Sequence, residues 1–197
     1  KVQLIVMSNT FTLFDAASLH GSIHQAKEHC SEHQCLYIGD SETVLGHVAP
    51  WLFDASHSPG FKRWVGEEAP GKNWGIIVQS HATLEELHHH FRQFLMVTTE
   101  EGKELYFRFY DPRVLRVFLP TCDAEQLQEF FGIDLVDAFV MEDEAGNMIR
   151  FTLDGGALYK QELGMDLKGF LAVREKELAE TIANTERVAC APANSPA

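Results

Sequence analysis

Short apolar runs alternate with segments of helical period through the first two thirds of the chain, the pattern of an α/β layer architecture. Strands are predicted over residues 11–14, 35–38, 51–54, 74–79 and 104–110, runs rich in aromatic or β-branched side chains. Helices are predicted between them over 23–33, 43–49, 59–66 and 83–98. The last has the sharpest signature. Thr83 and Glu86 form a Thr-x-x-Glu capping box, Leu84, Leu87, Phe91, Phe94 and Leu95 recur at helical spacing, and Gly102 supplies a stop.

After Gly132 the pattern changes. Residues 136–142 and 148–153 flank the turn-rich Glu144-Ala145-Gly146-Asn147, which predicts an antiparallel hairpin and hence a mixed sheet with flanking helices. Gly155-Gly156 breaks the chain before residues 157–163, and a charged amphipathic helix follows at about 168–187. The expected organisation is one body over 10–163, with candidate lobes 10–132 and 133–163, a C-terminal helix over 164–189 and a frayed tail at 190–197. The C-terminal hairpin and helix are the candidate second lobe.

The most informative stretch runs from Tyr106 to Gly132. A two-residue period puts Leu105, Phe107 and Phe109 on one strand face and Tyr106, Arg108 and Tyr110 on the other. Asp111 then stands where a helix N-cap would stand, and Pro112 occupies the first helical position, which suits its fixed φ and missing N–H. Val114, Leu115, Phe118 and Leu119 make an apolar stripe, with Arg113 and Arg116 three apart on an exposed or half-exposed face, before Pro120 closes the helix. A second helix starts near Asp123, paired with Gln126, buries Leu127, Phe130 and Phe131 and ends at Gly132. The arginines of this corner read first as partners of nearby acids that fix its shape. The competing reading makes Tyr106, Arg108, Tyr110, Arg113 and Arg116 a partner-binding face, with Asp111 and Pro112 structural.

Composition narrows the partners. The 197 residues suit one core-bearing domain, and fourteen Phe supply its bulk. The 16 basic and 29 acidic side chains give a net charge of −13, which disfavours nucleic acid and anionic membranes. Eight carboxylates and no lysine or arginine lie between Val117 and Ile149. Cys30, Cys35, Cys122 and Cys190 are too few and scattered for a disulfide framework, so reduced thiols in cytoplasm are expected. The opening residues lack a signal peptide's long apolar region, and no later run reaches the roughly 20 residues of a membrane span. Residues 1–6, ahead of Met7-Ser8, are expected to be foreign to the native chain.

Catalytic chemistry finds little footing. His20/His24 and His29/His33 stand four apart near Cys30 and Cys35, but neither pair encloses the acid of a His-Glu-x-x-His site, so a metal-dependent hydrolase is a weak alternative and no metal or cofactor is expected. His88-His89-His90 points in three directions from one helix, with His88 near the apolar stripe and His89 in solvent. Gly-x-Ser-x-Gly elbows and Gly-rich phosphate loops are absent.

The run FRFYDPRVLRVFLP, preceded by HHHFRQFLMV and followed by EQLQEFFG, resembles the adaptor or chaperone family of type VI secretion that loads effectors onto the secretion spike. LFDAA at 13–17, APWLF at 49–53 and WGIIVQS at 74–80 fit the same family in order, so the resemblance covers residues 10–160. It differs where many members have His-Leu-Arg, here His90-Phe91-Arg92, and where a proline often follows FFG, here Ile133. The resemblance implies a cytoplasmic, non-catalytic protein that binds a cognate toxin and helps it reach the tail-spike protein. A groove between lobes, lined by aromatics, would take an effector segment by helix docking or strand addition. A toxin-neutralising, immunity-type protein whose acidic surface meets a basic toxin is the alternative binding role.

Overall fold

The structure, a computed structural model, describes residues 7–99 and 101–189. The expected foreign segment 1–6 and the tail 190–197 lie outside the described residues. Strand β1 (Asn9–Asp15) lies inside a seven-stranded sheet with β2 (His33–Cys35), β3 (Pro50–Asp54), β4 (Gly75–Ser80), β7 (Ala138–Glu142), β8 (Met148–Asp154) and β9 (Ala157–Glu162), in the order β2-β3-β1-β4-β7-β8-β9. Strands β5 (Met96–Thr98) and β6 (Glu104–Tyr106) form a separate two-stranded ribbon.

The α/β class with flanking helices stands, but the expected mixture of parallel and antiparallel pairing gives way to antiparallel pairing throughout. The connections explain the difference. Helix α1 (Ile23–His29) links β1 to β2, which run the same way, as in a parallel unit. Strand β3 then inserts between them and reverses both contacts. Helix α3 (Pro59–Glu68) likewise links the co-directional β3 and β4, with β1 inserted between. The alternation of strand and helix was therefore legible, whereas the order of strands across the sheet was not.

Period-2 alternation divides the interior into two cores, one on each face of the sheet. Phe14, Phe53, Ile77 and Val140 face α1, α3 and the long α7 (Leu167–Ala189). Phe11, Leu13, Val78, Phe139 and Phe151 face α4 (Leu84–Arg92), α5 (Pro112–Phe118) and α6 (Ala124–Phe131). Gly75 is required where β4 passes β1, since a Cβ there would lie 2.0 Å from the Leu13 carbonyl oxygen.

The C-terminal hairpins continue the same sheet, so residues 133–163 form no separate lobe. Gly155 and Gly156, both at positive φ, make the two-residue turn between β8 and β9, a conformation few other residues adopt cheaply. Other boundaries shift. Helix α1 ends at His29 and β2 is over by Cys35, while α2 (Asp40–Leu45) starts earlier than expected and buries none of its residues. The predicted helix over 83–98 stops at Arg92, because the β-branched Val97-Thr98 and the turn at Gly102 favour an extended ribbon. Among the described residues no helix is long and apolar enough to cross a membrane.

Candidate functional site

The capping residues act as their sequence implies. Thr83 Oγ1 accepts from Glu86 N at 3.2 Å and Glu86 Oε2 accepts from Thr83 N at 2.8 Å, which starts α4. Asp123 and Gln126 do the same for α6. At the corner, Asp111 Oδ1 accepts from Arg113 N at 3.0 Å and Pro112 fills the first helical position of α5.

The strand before this cap is shorter than its period suggests. It ends at Tyr106, so Tyr106, Arg108 and Tyr110 do not share a face. Tyr106 is 61% exposed, whereas Phe109 and Tyr110 are buried in succession because the chain turns inward ahead of Asp111. Tyr110 packs edge-on against Phe109 at 5.6 Å and thus serves the interior instead of presenting its ring to a partner. Burial raises its phenol pKa, and the charge of Asp15 adds to the shift.

Arg113 and Arg116 also part company. The exposed Arg113 folds back on Asp111, donating from Nε at 2.9 Å and from Nη2 at 2.6 Å. Arg116, only 15% exposed, reaches the Glu142 carbonyl at 3.3 Å and the Glu144 carboxylate at 3.4 Å, tying α5 to the β7–β8 hairpin. Arg108 pairs with Asp15 and lies 3.9 Å from Asp111. All three arginines are therefore partnered by acids of their own chain, the architectural reading of the corner.

Asp15 is the residue that sequence reasoning missed. It lies 2% exposed at the end of β1, where Oδ1 accepts from Ala17 N at 3.0 Å and Oδ2 from the Ser18 hydroxyl at 3.0 Å and from Arg108. An aspartate closing an apolar strand was visible in LFDAA, but its partner 93 residues away was not. The contact joins the LFDAA and FRFYDPRVL segments into one cluster. Tyr37 borders it, its ring 6.3 Å from Tyr106, and its phenol is pushed up to about 12 by burial and then by Tyr106.

Burial alone would raise the Asp111 pKa, but its hydrogen bonds from Arg113 and the charges of Arg113 and Arg108 outweigh that and lower it from 3.8. Because the folded value is depressed, the stabilisation is fully present above the unfolded pKa and is lost as pH falls through the folded one. Asp111→Ala is expected to cost about 1–2 kcal/mol near pH 7, from the cap and its buried bonds. Urea unfolding should show that difference shrinking below about pH 4. A constant difference from pH 7 to pH 3 would refute the ionised cap.

The histidines and cysteines are engaged locally. His29 stacks on Trp64 at 5.6 Å, His33 Nδ1 is 2.8 Å from the Cys30 carbonyl, and His88 Nε2 is 2.7 Å from the Cys35 carbonyl. Among the described residues no group of three or more His, Cys, Asp or Glu is placed to hold a metal ion. Burial raises the Cys30 and Cys122 thiols and pushes Cys35 up to about 11, the opposite of an activated nucleophile.

Beside the corner an open groove of about 480 Å³ runs between the β5–β6 ribbon and α6. Phe94, Phe107, Phe118 and Phe130 line it, with Met96 and Val97 along the ribbon and Gln126 and Glu129 along α6. The sequence placed these aromatics on helix and strand faces but gave no sign that a ribbon would hold them open.

Fold and site together define an antiparallel α/β domain with an ion-paired, capped corner and an aromatic groove next to it. The chain belongs to the family described as a domain of unknown function, DUF4123, whose model matches residues 10–129, more than half of its length. This domain is known in type VI secretion effector adaptor proteins. The match runs from β1 into α6 and takes in the corner and all of the groove's lining except Phe130, one residue beyond it. No curated protein and no solved structure matches the chain.

Proposed function

We propose that the protein is a non-catalytic adaptor of type VI secretion, acting in the cytoplasm to hold a cognate effector and deliver it to the tail-spike protein. The observation that carries this reading is the DUF4123 match across residues 10–129. The surface is compatible with it. Met96, Val97, Leu105 and Tyr106 expose apolar area on a ribbon that packs only partly on the body, the kind of surface a binding protein keeps available. Arg108, Arg113 and Arg116 support this role indirectly, by fixing the corner that carries the ribbon.

Deleting the gene should abolish secretion of the effector encoded beside it while leaving secretion of the tail-tube protein intact, as read by immunoblot of culture supernatants. Unchanged effector secretion would overturn the adaptor reading. The immunity-type alternative would instead appear as self-intoxication of the deletion strain, relieved by deleting the toxin.

A further inference from the structure

Resting on the adaptor reading, we propose that the groove between the β5–β6 ribbon and α6 is the effector-docking site and that its occupant is a basic amphipathic helix. Its floor is built from half-buried and buried rings in edge-on contact, with Phe107 and Phe118 4.6 Å apart and Phe94 and Phe130 5.0 Å apart. These rings are held by the cores of α4, α5 and α6, so the floor is preformed. Met96 and Val97 stand exposed above it and would be covered by an occupant.

The charge around the groove selects the occupant's sign. No lysine or arginine lines it, and Glu129 stands exposed on its α6 wall, one turn from the exposed Glu125. Among the described residues neither carboxylate forms an ion pair within 4.0 Å. An apolar face bordered by lysine or arginine fits such a wall, and an acidic segment would be repelled.

The elements also select the occupant's form. β5 and β6 are three residues each, so a strand added to the ribbon would gain only a few ladder bonds. Separate aromatic rings along a floor suit the i, i+3, i+4 and i+7 side chains of a helix.

The probe is an 18-residue helical peptide of leucine and lysine with one apolar face, set against its leucine–glutamate counterpart, with binding read by fluorescence anisotropy. Wild type should bind the lysine peptide at least roughly tenfold tighter than the glutamate peptide. A Met96→Ser/Val97→Ser double variant, which removes the apolar anchors without adding charge, should lose at least roughly tenfold in affinity, as when an interface anchor is removed. Glu129→Lys, an exposed change that leaves the core untouched, should lose about threefold to tenfold and flatten the salt dependence. Equal binding of the two peptides, or affinities unchanged in the folded variants, would overturn the groove assignment. So would a wild-type dimer that Met96→Ser/Val97→Ser converts to monomer in light scattering, since the groove would then hold a second copy. Co-purification of the neighbouring effector separates the two proposals. Effector retained by folded groove variants removes the groove and leaves the adaptor role. Effector absent from wild type removes the adaptor role, and with it the effector as occupant.

Discussion

Phe109→Ala is expected to destabilise the domain by about 3–5 kcal/mol, the largest single-residue effect in the corner. Phe109 is fully buried, with ring contacts to Phe91 at 5.7 Å, Phe107 at 5.8 Å and Phe130 at 5.6 Å. Truncation removes the transfer energy of one ring and leaves a cavity where α4, α6 and the corner meet, and neighbouring rings held by their own helices cannot collapse into it. Thermal unfolding followed by circular dichroism should show the midpoint falling by about 6–20 °C, given the roughly 2–4 °C per kcal/mol usual at this chain length. A fall of less than about 2 °C would mean that the ring is not the keystone its contacts indicate. A second readout follows from position. Because Phe109 carries Phe107 toward Phe118, Phe109→Ala should also blunt peptide binding in the groove even where the variant remains folded.

How far this interior could be read from sequence depends on the range of the interaction involved. Capping is local, so Thr83-Glu86, Asp111-Pro112 and Asp123-Gln126 were each legible and each stands in the structure. The strand over residues 11–14 was legible as a span, and it lies in the main sheet with Phe11 and Leu13 in one core and Phe14 in the other. The period failed at residues 104–110, because the ribbon ends at Tyr106 and the chain then obeys a turn instead of a pleat. It failed again at 93–98, where helical spacing of Phe94 and Leu95 competed with the β preference of Val97 and Thr98, and tertiary pairing with β6 decided the outcome.

The strand order was illegible for a different reason. Insertion of β3 between β1 and β2, and of β1 between β3 and β4, is fixed by side-chain fit across the sheet, as where Gly75 admits the Leu13 carbonyl. The continuity of β7 with β4 likewise turned an expected second lobe into an extension of the first sheet. The groove followed from that correction. It lies between ribbon and α6 on one face of the sheet, and all its lining residues fall within 93–130, so it is not the groove expected between lobes.

Asp15→Ala is expected to cost about 2–3 kcal/mol, more than loss of the Asp111 cap although Asp15 caps no helix. Removing its carboxylate takes the acceptor from two part-buried bonds, those donated by the Ala17 N–H and the Ser18 hydroxyl, at about 1 kcal/mol each because water reaches this turn. It also strips Arg108 of its closest partner. Severing a fully buried pair costs about 3–5 kcal/mol, but Arg108 is 47% exposed and water can re-solvate it, so the electrostatic share is smaller. A double-mutant cycle with Arg108→Ala isolates that share, and a coupling of about 1 kcal/mol is expected from urea midpoints. Zero coupling would assign the whole cost to the turn at Ala17 and Ser18 and deny the pair any part in holding the corner to β1. The predicted coupling carries a functional consequence, since Arg108 follows the ribbon by two residues and Asp15 ends a central strand. If the pair anchors the ribbon, Arg108→Ala should leave the sheet folded while weakening peptide binding at Met96 and Val97, a loss that a purely local turn defect would not produce.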